Sequence, residues 1–201
     1  MVSGEKPGQV LWLVQHGQTT WNSMGWVQGH VDRARFTRLG RQEVRRAADR
    51  FGEQPVTAVY SSDLLQARRT AMAIAHRLRC GVRTDRRLRE RKFGMAEGVP
   101  WADVPCAATG IVGGCVVDEM AHPPGGETLH ELYARCLSFL LDVAEQPHEG
   151  DVVVVAHDGS IRMLRAIVGD SDLFGLSWEP SPKCGEQPVG VRLPVQFDTA
   201  S

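Results

Sequence analysis

Two patterns of apolar residues alternate along this chain. Short runs in which nearly every residue is apolar occur at 10–15 (Val-Leu-Trp-Leu-Val-Gln), 56–60 and 151–156, with a shorter run at 82–84. Runs of this length with no polar alternation predict strands buried on both faces. Between them, apolar residues recur at helical spacing. The stretch 37–51 opens on Thr37 and places Leu39, Val44, Ala47, Ala48 and Phe51 on one side. A second helix is expected to run from a cap at Ser61-Ser62-Asp63 to about Leu78, with Leu64, Ala67, Ala71, Ile74 and Ala75 inward. Two more are expected at 127–144 and 159–168, the latter directly after the most apolar strand. Residues 1–9 read as a loose polar tail. Residues 94–124 are rich in Gly, Pro and Ala and read as an excursion with at most one short helix. The stretch 170–201 is irregular, with a final strand near 189–197.

Strands alternating with helices predict an α/β fold, a three-layer α/β/α sandwich with a mainly parallel central sheet. The 201 residues suit a single domain over 1–201, with the 94–124 excursion as a lid over the strand ends. Ligands in such sheets bind at the carboxyl ends of the strands, and His16 and His157 both fall there.

Composition narrows this picture slightly. A net charge of -1 gives no reason to expect a nucleic-acid partner. No apolar run is long enough for a bilayer span, and no signal-peptide core is visible, so a cytoplasmic protein without a membrane partner is expected. The five cysteines are scattered with no Cys-x-x-Cys, which points to free thiols and no metal site.

The chemistry concentrates at two histidines. Gln15-His16-Gly17 ends the first apolar strand and continues to Asn22, and Ala156-His157-Asp158-Gly159 repeats the arrangement at the end of another. Further along come Leu88-Arg89-Glu90, Phe93-Gly94 and Glu97-Gly98, then Pro124-Gly125-Gly126-Glu127-Thr128. Ser61-Ser62-Asp63-Leu64 runs on to Thr70-Ala71, and Gln28-Gly29 precedes Leu39-Gly40. In this order and spacing, the segments over about 10–168 resemble the histidine phosphatase (phosphoglycerate mutase-like) superfamily.

The resemblance implies that His16 attacks phosphorus and becomes a phosphohistidine. It implies that Glu90 protonates the leaving oxygen and that His157 donates to the transferring oxygens. Gly17 and Asn22 would help to bind substrate. The family pattern also has two arginines that clamp the phosphoryl group, and here Gln15 and Gln66 stand in their places. Glutamine offers an amide but no charge, and each charge-assisted bond lost is worth roughly 1.5–3 kcal/mol. Arg69, about 300° round the helix from Gln66, is a candidate replacement, as are Arg33 and Arg35.

The loss of both clamps around retained proton-transfer residues favours a repurposed enzyme. It would use His16, Glu90 and His157 for acid–base or nucleophilic chemistry on a small molecule with no phosphate at the reacting position, with phosphatase activity weak or absent. The alternatives are a phosphomonoesterase or mutase-type enzyme working through His16, and a catalytically silent binding protein. No cofactor is implied, and family habit allows a homodimer. Trp26 and Trp101 could line an apolar pocket, with ordinary packing the simpler role.

Overall fold

A computed structural model describes residues 10–52, 54–112, 115–146, 148–169 and 188–192. In chain order the elements are β1 (Val10–Gln15), α1 (Thr20–Ser23), α2 (Arg38–Arg50), β2 (Val56–Ser61), α3 (Leu65–Leu78) and β3 (Val82–Thr84). They continue with α4 (Cys106–Thr109), β4 (Ile111–Val112), β5 (Cys115–Val116), α5 (Leu129–Glu145), β6 (Asp151–Ala156), α6 (Asp158–Ile167) and β7 (Val189–Arg192). Three single 3-10 turns lie at Arg86–Leu88, Gly94–Ala96 and Trp101–Asp103.

Five strands form the main sheet in the order β3-β2-β6-β1-β7. The pairs β1–β6, β2–β6 and β2–β3 are parallel, and β7 closes one edge antiparallel to β1. The centre of the sheet is β6, whose four consecutive valines are each fully buried. Because side chains alternate across a strand, Val153 and Val155 join one core with Ala47, Phe51, Ala71 and Ile74 from α2 and α3. Val152 and Val154 join the opposite core with Leu132, Phe139, Leu140 and Leu164 from α5 and α6. Each buried valine contributes about 1.5–3 kcal/mol, so β6 is the part of the sheet least able to move. The expected three-layer, mainly parallel α/β architecture is thus present.

Several local expectations need revising. Leu39 is 38 % exposed; the inward face of α2 is instead completed by Gly40 and Glu43. The helix α3 is not capped by Asp63. Its N-cap residue is Leu64, and its first free N–H groups are met from outside: Ser62 Oγ accepts from Leu64 N, and Asp32 Oδ1 from Leu65 N. Asp63 is drawn away by a two-pronged ion pair with Arg89. In the 127–144 stretch the helix begins two residues later than expected, at Leu129, with Thr128 and Glu131 forming a reciprocal cap.

The 94–124 excursion is more ordered than a loop with one short helix. It holds α4, the β4–β5 pair and two 3-10 turns. Its anchor is Arg91, whose fully buried guanidinium donates to the carbonyls of Thr109, Ala121 and Glu127. Of the expected final strand at 189–197, β7 occupies 189–192. The remainder, like the 1–9 tail, most of the 170–201 stretch and Cys184, lies outside the described residues. Cys80, Cys106, Cys115 and Cys136 are free thiols. Among the described residues no helix is long and apolar enough to cross a membrane.

Candidate active site

The parallel pairing of β1 with β6 sets Gln15 beside Ala156, so the residues that follow leave the sheet side by side. His16 and His157 then meet edge to face, with ring centroids 5.0 Å apart. Both rings are buried. The sequence keeps them there by locking each strand exit. His16 N donates to Ala156 O, and Gly17 N donates to Thr70 Oγ1 on α3. His157 is the N-cap residue of α6, and its N–H donates to Ser160 Oγ. Gly17 must be glycine for lack of room: a Cβ there would sit 2.6 Å from the Gly40 carbonyl oxygen and 2.7 Å from Val44 Cγ2.

The tautomer of His16 follows from its partner. Its Nδ1 lies 2.9 Å from the Gly17 carbonyl oxygen, which can only accept, so Nδ1 carries the hydrogen. Burial lowers the His16 pKa, against smaller upward pulls from that hydrogen bond and from Asp158. A neutral imidazole protonated on Nδ1 leaves the Nε2 lone pair available, which is what a nucleophile requires. His157 is held well below the usual histidine range, first by burial and then by His16, Arg135, His30 and Arg89. Its Nε2 is 2.9 Å from Ser62 Oγ.

Glu90 reaches the same place from the loop after β3. One carboxyl oxygen accepts from Arg91 N and the other from Gly159 N at the start of α6. Burial, followed by the charge of Asp158, pushes its pKa up to about 7; the two N–H groups and Arg135 resist. A carboxyl that is half protonated near neutrality can give a proton and take it back. Glycine at 159 again leaves space: a Cβ would collide with Glu90 Oε1. The Glu90 backbone is fixed too, its carbonyl accepting from His30 Nε2 and Arg135 Nη2. Arg135 is held in turn by a bidentate pair with Glu127.

The remaining expected binding residues are placed unequally. Gln66 is buried on the α3 face that carries Thr70, four residues on, and both its amide atoms lack a hydrogen-bond partner. Gln15 Oε1 is likewise buried and unpartnered. Asn22 is exposed and already serves as a cap, its Oδ1 accepting from Thr19 N and Thr19 Oγ1. Arg69, Arg33 and Arg35 are all exposed. Arg69, like Arg68 before it, is on the exposed side of α3, although it is only about 60° round the helix from Gln66. Trp26 and Trp101 pack against aromatic neighbours, edge-on to Trp21 and Phe93 respectively. Among the described residues no group of His, Cys, Asp and Glu is suited to a metal ion.

Sequence reasoning did not single out Ser62, Thr70, His30, Arg135 or Asp158. Thr70, Ser62 and Asp158 stood inside segments already noted. His30 and Arg135 carry no local signal, since they act on Glu90 from 60 and 45 residues away in the chain.

Comparison with known proteins gives the family. The family profile described as "Histidine phosphatase superfamily (branch 1)" matches residues 11–179. The chain is similar to phosphoglycerate mutase-like protein 4 of Arabidopsis thaliana, with 39% identity over 161 residues, 76% of this chain and 67% of that protein. It is 35% identical over 160 residues to the metal-independent phosphoserine phosphatase of the same plant, covering 76% of this chain and 65% of that protein. The chain therefore spans about two thirds of the length of these two plant relatives. Among solved structures, a mycobacterial glucosyl-3-phosphoglycerate phosphatase in complex with VO3 superposes with a TM-score of 0.72 at 29% identity, covering 88% of this chain and 90% of that one.

Proposed function

Since this chain belongs to the histidine phosphatase superfamily, branch 1, we propose that it is a phosphomonoesterase that works through a phosphohistidine at His16. The observation that carries the reading is the hydrogen bond from His16 Nδ1 to the Gly17 carbonyl, which leaves Nε2 as a neutral nucleophile on a ring packed edge to face with His157. Relatives named as phosphatases support phosphoryl transfer over acid–base chemistry on an unphosphorylated molecule, the reading that Gln15 and Gln66 favour when taken from sequence alone.

In the first step Nε2 of His16 attacks phosphorus and the bond to the ester oxygen breaks. Glu90, protonated below about pH 7, delivers its proton to that oxygen and the alcohol leaves. In the second step water attacks the phosphohistidine. Glu90, now a carboxylate, takes the proton from the water, the P–N bond breaks, and free phosphate and the resting enzyme result. The role assigned to His157 is to donate to the transferring oxygens, and the hydroxyl of Ser62 orients its ring for this. Dividing the displacement in two lets one buried carboxyl act as acid and then as base.

The substrate proposed is a small phosphomonoester; the relatives' names suggest phosphoserine or a sugar-linked phosphoglycerate as first trials. The test is a short pulse of phosphoester, a quench in base, and mass spectrometry of the peptide containing His16. A mass increment of one phosphoryl group on His16, lost in His16→Ala, is expected. Robust turnover with no label on His16 would overturn the reading.

A further inference from the structure

In this pocket three buried amide atoms have no partner: Gln15 Oε1, Gln66 Oε1 and Gln66 Nε2. Gln66 is only 2 % exposed. Buried polar atoms that no protein group meets are rare, and such atoms call for a partner from a ligand or solvent. They flank His16: Gln15 precedes it directly, and Gln66 lies one helical turn from Thr70, which binds Gly17 N. Flipping the Gln66 amide exchanges its donor and acceptor and leaves one of each, so the pair still asks for both a donor and an acceptor in the ligand.

The charge around the pocket is already balanced. The cations that act on His157 are held by their own partners: Arg89 by Asp63, and Arg135 by Glu127. His30 is held below the ordinary histidine range by burial and donates to a carbonyl. A fully ionised phosphoryl group offers acceptors only, and would bring two negative charges against two amide oxygens. A phosphoryl group that keeps one proton offers a P–O–H donor to an amide oxygen and still accepts from Gln66 Nε2. We propose that the phosphoryl group enters this pocket as its monoanion, with its single P–O–H donating to one buried amide oxygen, that of Gln66 or Gln15, and another of its oxygens accepting from Gln66 Nε2. The inference rests on the phosphoryl reading above and adds its charge state. Where two arginines would select the dianion, two glutamines select the protonated form.

The probes are inorganic phosphate and sulfate, titrated calorimetrically into the full chain at about pH 5.5 and about pH 8.5, either side of the second phosphate ionisation. Sulfate has the same shape, but carries two charges and no proton throughout. Phosphate affinity is expected to fall at least ~10-fold from the acid to the alkaline condition, each tenfold being about 1.4 kcal/mol. Sulfate is expected to bind at least ~30-fold more weakly than phosphate at the acid pH, the size of one lost hydrogen bond to a charged group. The groups that bear on the pocket are the imidazoles of His16, His157 and His30 and the carboxyls of Glu90 and Asp158. Protonating an imidazole or Glu90 favours the doubly charged sulfate over the phosphate monoanion, so a preference for phosphate at the acid pH reports the ligand's own proton.

Glu90→Gln removes the carboxyl that titrates nearest neutrality and is expected to keep the fall in phosphate affinity. In Gln15→Arg with Gln66→Arg, sulfate is expected to bind about as well as phosphate. The comparison in the unaltered protein stands even if that double variant does not fold. Equal affinity for the two anions at acid pH, a flat phosphate profile, or no binding of either would overturn the inference. A phosphohistidine label with a flat profile would remove the monoanion alone. The expected profile with no label would remove the transfer reading alone.

Discussion

The buried carboxyl of Glu90 makes stability depend on pH in a definite direction. Its pKa rises from 4.5 when solvated to about 7 in the fold. Between those values the folded protein keeps a proton that the unfolded chain has released, so stability falls as pH rises through this window. Below about 4.5 both states hold the proton, and above about 7 neither does, so the contribution is flat outside it. At about 1.36 kcal/mol per unit, the loss across the window is about 3 kcal/mol. Glu90→Gln removes the titration but nearly keeps the shape. The variant will carry a constant cost of about 1–3 kcal/mol, because an amide NH2 cannot accept from both Arg91 N and Gly159 N. That cost does not depend on pH, so the informative quantity is the difference between variant and parent. Urea unfolding from pH 4 to 8.5 should show Glu90→Gln gaining about 3 kcal/mol relative to the parent as pH rises, with most of the change between 4.5 and 7. A difference that stays constant to within about 0.5 kcal/mol would refute the raised pKa, and with it the role of Glu90 as proton donor near neutrality.

Other perturbations test other parts of the site. His16→Ala should lower phosphoester turnover by several powers of ten while leaving the melting temperature within a few degrees, measured by steady-state kinetics and calorimetry. Gly17→Ala should destabilise the protein by about 1–3 kcal/mol or more, because its Cβ meets the Gly40 carbonyl and Val44; an unchanged denaturation midpoint would show that the turn has slack. Arg91→Ala should cost about 3–5 kcal/mol by removing a buried guanidinium that meets three carbonyls, and limited proteolysis should then cut first between 94 and 124. Ser62→Ala, which frees His157 Nε2, should reduce kcat more than KM; an equal change in both would point to a general loosening of the pocket.

Much of this was legible along the chain because burial leaves a local signature. The four valines of β6 have no polar alternation because both faces are covered, and His16 and His157 follow their strands so directly that a shared edge could be read from sequence. The segment 94–124 was not legible, since its order comes from a guanidinium at position 91 that binds carbonyls 18 and 30 residues away. Asp63 misled for a related reason. A Ser-Ser-Asp before a helix reads as a cap, but Arg89 outcompetes the helix for that carboxylate.

By itself the sequence determined the alternation of strands and helices, the two histidines at strand ends, and the glutamines at 15 and 66. Those are properties of residue type and spacing. Only the tertiary structure decided which nitrogen of His16 is free, that Glu90 titrates near neutrality, and that the two glutamines are buried without partners. Protonation and hydrogen bonding depend on desolvation and on neighbours brought in from elsewhere: Ser62 reaches His157 across 95 residues of chain, and Gly159 reaches Glu90 across 69.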